Sequence, residues 1–167
     1  MIAPPQALVD LFKPWNDFYS HSKTAETIVQ FLHIGGLVLA GGLAIASDRG
    51  SLRALKIAAA DRHHYTRELR TVHRWVLTGL VVVVLSGLAM LASDFETFWG
   101  SWIFWIKMLL VLILLVNGFG MTRAEKMLER DASETSPGWG ALRRTAMSSL
   151  VLWFVITAFG IALVNFS

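Results

Sequence analysis

Cysteine is entirely absent from this sequence, and that absence removes several classes of protein. Without thiols the chain can have no disulfide framework, no thiolate metal site and no covalently attached c-type haem. Charge is also scarce: charged residues make up 16% of the 167 positions, whereas a soluble domain carries about a quarter. The formal net charge of +3 is small and gives no signal for binding RNA or DNA. Long apolar runs take the place of the missing charge, so the relevant solvent is a lipid bilayer.

The first fifteen residues, MIAPPQALVDLFKPW, have neither a basic start nor a cleavable apolar core. They therefore lack the pattern of a secretory signal peptide. We divide the chain after residue 26. Residues 1–26 form an outer segment, in which ALVDLF is a candidate short amphipathic helix, and residues 27–167 form the membrane domain.

Four apolar runs are long enough to cross a hydrocarbon core of about 30 Å, which takes roughly 20 helical residues. The alternation typical of a membrane β-barrel is absent, and spans of this length must satisfy their own backbone hydrogen bonds as helices. The sequence therefore predicts an all-α integral membrane protein, a bundle of four transmembrane helices. The predicted spans cover residues 27–46, 75–93, 99–121 and 146–166.

Lysine and arginine are distributed unevenly between the two ends of this bundle. Seven lie between the first and second spans and five between the third and fourth, so one side holds twelve of the fifteen. Basic loops stay in the cytoplasm, which predicts a bacterial-type inner membrane with both chain termini on the outer, periplasmic side. We expect the first basic loop to be a helix at the lipid surface or an inward extension of the second span. We expect the second to extend the third span inward, up to a turn at SETSPGWG.

Two side chains within the predicted spans can titrate or bind a metal strongly, His33 and Lys107. Each lies about seven residues, or roughly 10 Å, from the outer edge, so they share a level in the membrane. Lys107 has two interpretations. Its stem can reach outward to the level of Trp99, Trp102 and Trp105, or it can face the bundle interior and meet a partner there, as ionisable groups within spans usually do.

Small residues follow His33 along one face of the first span: Gly36, Ala40 and Ala44. A face without bulk beside an imidazole suits a flat macrocycle whose iron the imidazole ligates. On that interpretation His33 is a candidate axial haem ligand, and Gly36 and Ala40 are candidate cofactor contacts. The same pattern also serves close packing between two helices, so both interpretations are open.

Two further residues complete the set of candidates. Met90, near the outer end of the second span, is a candidate cofactor contact, whereas Met108 points about 100° away from its neighbour Lys107. His73, at the inner start of the second span, is a candidate ligand of a second metal centre. It lies about 20 Å from His33 along the bundle axis and cannot share an iron with it.

Three stretches of the chain resemble known membrane families. They are FLHIGGLVLAGGL in the first span, HRWVLTGLVVVVLSGLAML in the second and FWIKMLLVLILLVNG in the third. With the basic loop between spans, they resemble the copper-resistance protein D group and the bacterial haem-dependent membrane protoporphyrinogen IX oxidases over residues 27–121. The fourth span and the N-terminal segment lie outside the resemblance, and GGLVLAGG lacks the aromatic residue expected in mid-span.

The resemblance to the oxidases implies a b-type haem, with His33 and Lys107 in the functional site. Neutral imidazole ligates iron well, while an ammonium must first lose its proton. We therefore expect Lys107 to be the counter-charge of a haem propionate rather than the second axial ligand. The resemblance to the copper-resistance group implies movement of copper across the inner membrane.

Three hypotheses of function follow. The first is a haem b protein of the inner membrane, which transfers electrons or oxidises a membrane-accessible substrate such as a quinol or a porphyrinogen; whether it is an enzyme is open. The second is a copper-handling protein, since thioether ligands suit Cu(I). The third is a non-catalytic subunit that packs on a partner through the small residues after His33. The expected partners are the bilayer and a membrane redox partner; a homo-oligomer is left open, and no nucleic acid is expected.

Overall fold

The computed structural model describes residues 3–55, 59–131, 133 and 135–166, with side chains throughout except at residues 59–71, 73 and 74. Six helices and no strand occur in these ranges. The end of the bundle that holds α1 and α4 is called the outer end below, and the opposite end the inner end. The helices are α1 (Gln6–His21), α2 (Lys23–Ala54), α3 (Ala59–Ser93), α4 (Phe95–Gly100), α5 (Trp102–Arg130) and α6 (Pro137–Phe166).

Four segments are long and apolar enough to cross a bilayer: α2, residues Trp75–Ser93 of α3, α5 and α6. Their outward faces carry large exposed apolar side chains, among them Phe119 and Val164. Such a surface is stable against lipid and not against water. The predicted all-α architecture of four long apolar helices is confirmed, and it indicates a multi-pass membrane protein. The identity of the membrane and the side on which each end lies remain predictions.

The four long helices pack as two pairs, α2 with α3 and α5 with α6, and a contact between α2 and α6 joins the pairs. Three apolar clusters fill the interior along the bundle axis. From the outer end to the inner end they include Phe104, Trp153 and Leu142. The chain therefore keeps a continuous apolar core although most of its apolar surface faces outward.

Helices α2 and α3 approach each other closely at small residues. A Cβ atom added at Gly79 would lie 2.9 Å from the Cβ of Ala40, and one added at Gly36 would lie 3.0 Å from Cγ2 of Val83. Ala40 is completely buried. Residues with little or no side chain are therefore required here, because larger ones would push the two backbones apart.

The short helices close the outer end of the bundle. The indole Nε1–H of Trp15 in α1 donates a 2.8 Å hydrogen bond to the carbonyl of Ala89 in α3. The ring of Phe12 packs on that of Phe95 in α4, with 5.3 Å between ring centroids. Helix α1 contains the predicted ALVDLF stretch and extends well beyond it. It attaches the N-terminal segment to the bundle.

Several helix ends differ from the predicted spans, and α2 extends beyond its predicted span at both ends. The third span begins at Trp102 and not at residue 99, because Ser101 has an extended backbone that separates α4 from α5. Helix α3 runs unbroken from Ala59, so part of the first basic loop is an inward extension of the second span. Helix α5 continues to Arg130 as predicted, and α6 begins at Pro137, well before residue 146. Proline is favoured at the first helical position, where no backbone donor is needed.

Candidate functional site

His33 faces α3 in the outer half of the bundle. Its Nδ1 atom lies 3.1 Å from the carbonyl oxygen of Val83 and 3.1 Å from Oγ of Ser86. The Ser86 hydroxyl donates a 2.6 Å hydrogen bond to the carbonyl of Val82, so its oxygen is free to accept a second bond. The imidazole is half-buried and held from one side by the backbone of the neighbouring helix.

The Val83 carbonyl determines which nitrogen of His33 carries the proton. A carbonyl oxygen can only accept a hydrogen bond, so the contact places a proton on Nδ1. In the neutral ring the lone pair then lies on Nε2, for which the described residues provide no hydrogen bond. Metal-ligating histidines commonly have this arrangement, with the second nitrogen donating to a carbonyl or carboxylate.

Gly87 provides the space in which the imidazole lies. A Cβ atom at this position would be 3.1 Å from Cε1 of His33 and 3.5 Å from its Nδ1. In the sequence, Ser86 shares a face of the second span with Gly79 and Met90 and is a candidate supporting group, whereas the role of Gly87 was not predicted. The signal that could have revealed that role is a hydroxyl followed by a glycine within an otherwise apolar span.

Lys107 is half-buried on α5 and extends toward α6. A Cβ atom at Gly160 of α6 would lie 3.8 Å from the Nζ atom of Lys107, and the lysine charge acts electrostatically on His33. The one ion pair among the described residues joins Lys23 to Glu26, so Lys107 has no anionic partner there. Of the two interpretations of Lys107, this placement favours the one in which the ammonium faces the bundle interior.

The small residues after His33 contact another helix of the same chain. Gly36 lies against Val83 and Gly79, and Ala40 lies against Gly79, which leaves no open space on this face. Close helix packing is therefore the interpretation that the structure favours for this stripe. Gly36 and Ala40 bring α3 near enough for the Val83 carbonyl to reach His33.

The other candidates are not gathered around His33. Met90 is half-buried on α3, one helical turn outward from Gly87. Met108 is 38% exposed and belongs to the outward-facing apolar surface of α5. The side chain of His73 lies outside the described residues, so the second centre predicted there stays a prediction.

A protein-family model matches residues 19–167 of the chain and is described as a family of unknown function, DUF6644. The chain belongs to this family. No curated protein and no solved structure matches it. Most of α1 precedes the matched region, whereas all four candidate membrane helices lie within it. The family description names neither the copper-resistance D group nor the oxidases, so roles drawn from those resemblances enter below only as proposals.

The donor set around His33 fits a haem better than a bare metal ion. The described residues contain no group of three or more histidine, aspartate or glutamate side chains that could hold an ion. A haem brings four ring nitrogens of its own and requires from the protein an axial ligand and a place for its propionates. The lone pair of His33 Nε2 suits the first requirement, and the Lys107 ammonium suits the second.

The structure also contains a buried carboxyl group at the inner end, Asp48, which the sequence analysis did not single out. Asp48 is 1% exposed on α2. Ser149 of α6 and Glu125 of α5 lie near its carboxyl group. Within the part of the chain that the structure describes, the Oδ2 atom of Asp48 and the hydroxyl of the fully buried Ser51 have no hydrogen-bond partner.

The sequence did contain a signal for Asp48. The first span was predicted to end at residue 46, which placed Asp48 in a solvated loop. The spacing that joins Gly36, Ala40 and Ala44 nevertheless continues to Asp48 and Ser51, and helix α2 runs on to Ala54. Extending the helical face by two turns would have placed the carboxyl group in the interior.

Proposed function

We propose that the protein binds haem b in the outer half of its bundle. It uses this haem to transfer electrons or to oxidise a membrane-accessible substrate such as a quinol or a porphyrinogen. One observation carries the proposal, the 3.1 Å contact between Nδ1 of His33 and the Val83 carbonyl. This contact leaves the lone pair on Nε2 and orients the ring, as an axial ligand requires. When bound, the haem iron supplies a one-electron redox centre.

The surrounding residues act by positioning His33. Val83 and Ser86 hold Nδ1, and Gly87 leaves room for the ring. The close approach of Gly79 to Ala40 keeps α3 at the distance at which these contacts form. The ligand is thus held by two helix backbones, which limits the ring motion that would weaken a metal–nitrogen bond.

Lys107 has the role of counter-charge for a propionate. An ammonium within a bilayer is costly unless it has a partner, and the described residues offer Lys107 none. A propionate at the level of His33 would supply that partner.

The resemblance of the first three spans to the copper-resistance D group and the haem-dependent oxidases adds support for a haem. It does not extend to the substrate, because the mid-span aromatic residue is missing from GGLVLAGG and the fourth span lies outside the resemblance. The proposal therefore names the chemistry, one-electron transfer or oxidation, and leaves the substrate at the level of its class.

An absorption spectrum of the purified full-length protein tests the proposal. Protein from haem-replete cells should show a Soret band that shifts on reduction with dithionite. His33→Ala should lose this band, while His21→Ala, which alters an exposed histidine in α1, should keep it. A colourless preparation of the parent protein, or an unchanged spectrum in His33→Ala, would contradict the proposal.

Lys107 provides a second test on the same preparation. Lys107→Met should lower the haem content per chain and lower the reduction potential of the haem that remains, because it removes a positive charge from the site. Lys13→Met, at an exposed position of α1, is the matched control and should change neither quantity. Equal effects of the two substitutions would show that Lys107 does not face the haem.

The other two hypotheses have their own outcomes in this experiment. Copper in stoichiometric amount, lost in Met90→Leu, would indicate a copper-handling protein. A colourless protein that co-purifies with a larger complex would indicate a non-catalytic subunit. The small residues after His33 do not offer such a subunit a surface for a partner, because Gly36 and Ala40 are covered by α3 of the same chain.

A further inference from the structure

A cavity of about 380 Å³ lies between α5 and α6 at the inner end of the bundle, whereas His33 and Lys107 lie toward the outer end. Two arginines stand at it, Arg123 on α5 and Arg144 on α6. The rest of its lining is mostly small or apolar and includes Gly120, Ala124, Met127 and Ala141. It therefore combines an apolar interior with two positive charges.

The two arginines have no acidic partner within the described part of the chain, where the one ion pair is Lys23 with Glu26. Both side chains are exposed. They lie where the apolar runs of α5 and α6 give way to polar sequence, which is the depth of lipid headgroups. Two arginines lining one cavity at that depth are suited to a phosphate, which accepts paired hydrogen bonds from arginine.

The apolar part of the cavity is created by small side chains on both helices. A Cβ atom at Gly120 would lie 3.2 Å from Cγ2 of Thr145, so α5 and α6 are close at these two lining residues. The lining residues Ala124 and Ala141 leave space that a larger side chain would fill. This apolar lining is suited to the start of an acyl chain.

We propose that this cavity binds an anionic phospholipid, with its phosphate between Arg123 and Arg144 and the first part of an acyl chain against Ala124 and Ala141. Basic cavities between transmembrane helices are suited to such headgroups. The lipid would contact both α5 and α6 at the inner end of the bundle. This site is independent of the proposed haem.

Native mass spectrometry of the full-length protein in detergent tests the proposal. Phosphatidylglycerol and phosphatidylcholine of equal chain length are added as competing probes. The parent should bind phosphatidylglycerol about 30-fold more strongly than phosphatidylcholine, since each arginine near an anionic headgroup contributes roughly fivefold to the affinity. Arg123→Gln with Arg144→Gln should abolish the preference. Arg130→Gln with Arg143→Gln, a matched pair of exposed arginines on the same helices outside the cavity, should retain it.

A cavity-filling variant separates a built site from general attraction to a basic surface. Ala141→Leu keeps both arginines and should still lose the bound lipid, while its circular dichroism spectrum and unfolding temperature show that it is folded. Full retention in Ala141→Leu, or equal loss in the two arginine pairs, would overturn the proposal. So would displacement of the lipid by soluble glycerol phosphate, which would identify a free phosphate ester as the ligand. A dimer that dissociates in Arg123→Gln with Arg144→Gln would identify a second copy of the chain as the occupant instead.

Discussion

Nδ1 of His33 lies 3.1 Å from the carbonyl oxygen of Val83, fifty residues along the chain on the adjacent helix. The contact decides the chemistry of the ring, because a carbonyl accepts and cannot donate. With the proton on Nδ1, the lone pair of the neutral imidazole lies on Nε2. A histidine that looks isolated in the sequence thus has an oriented ring in the fold, held at Nδ1 by the adjacent helix.

Gly87 should be essential for this orientation. In Gly87→Ala the new Cβ would lie 3.1 Å from Cε1 of His33, so the ring must move and its contact with Val83 must lengthen. We expect the haem content per chain to fall severalfold while helix content is unchanged, as measured by the pyridine haemochrome assay and circular dichroism. Gly35→Ala is the control, since no atom lies within 4 Å of the added Cβ there. Equal haem content in the two variants would show that Gly87 does not set the position of His33.

Gly79 should determine how closely α2 and α3 pack. Its added Cβ would meet the Cβ of Ala40 at 2.9 Å and the Ala40 backbone nitrogen at 3.1 Å. Neither atom can move without the helix, so Gly79→Ala should destabilise the bundle by about 1–3 kcal/mol. Gly42→Ala meets nothing within 4 Å and should be neutral or stabilising by up to about 1 kcal/mol, because alanine favours helix over glycine. Thermal unfolding in detergent measures both variants, and a Gly42→Ala destabilised as much as Gly79→Ala would show that the close approach to Ala40 is not the cause.

The sequence was sufficient for the architecture because the bilayer constrains it so strongly. Apolar runs of this length can only be helices in lipid, and the four were located correctly from hydrophobicity alone. Their ends were less accurate, because amphipathic extensions beyond the lipid core carry charge and lower the apparent hydrophobicity. The start of α6 at Pro137 and the end of α2 at Ala54 are examples.

The candidate site was predictable only in part. His33 and Lys107 could be singled out because a titratable group in an apolar span is rare. Their shared level followed from helix rise, but the contacts of His33 with Val83 and Ser86 could not be predicted. Those contacts depend on the register between α2 and α3, which close packing at Gly79 and Ala40 fixes. The sequence shows that small residues are present and does not show which helix covers them.

Asp48 gives a prediction about the cost of buried charge. Among the described residues its Oδ2 atom has no hydrogen-bond partner, and the nearby Glu125 carries a charge of the same sign. Burying a charged carboxylate is costly, whereas an amide of the same shape carries no charge. Asp48→Asn should therefore raise the unfolding temperature in detergent. Asp94→Asn, which lies between α3 and α4, should leave it unchanged. A lower unfolding temperature in Asp48→Asn would mean that the carboxylate has a stabilising ligand.

The absence of cysteine makes the predicted topology directly measurable, because a single introduced thiol has no background. Ser20 in α1 and Ser133 between α5 and α6 are both exposed and lie at opposite ends of the bundle. Twelve of the fifteen lysines and arginines lie toward the Ser133 end, which should therefore face the cytoplasm. In intact cells a membrane-impermeant maleimide should label Ser20→Cys and not Ser133→Cys, and permeabilised cells should label both. Labelling of Ser133→Cys and not Ser20→Cys in intact cells would show that the bundle has the opposite orientation, with His33 and Lys107 in the cytoplasmic half of the membrane.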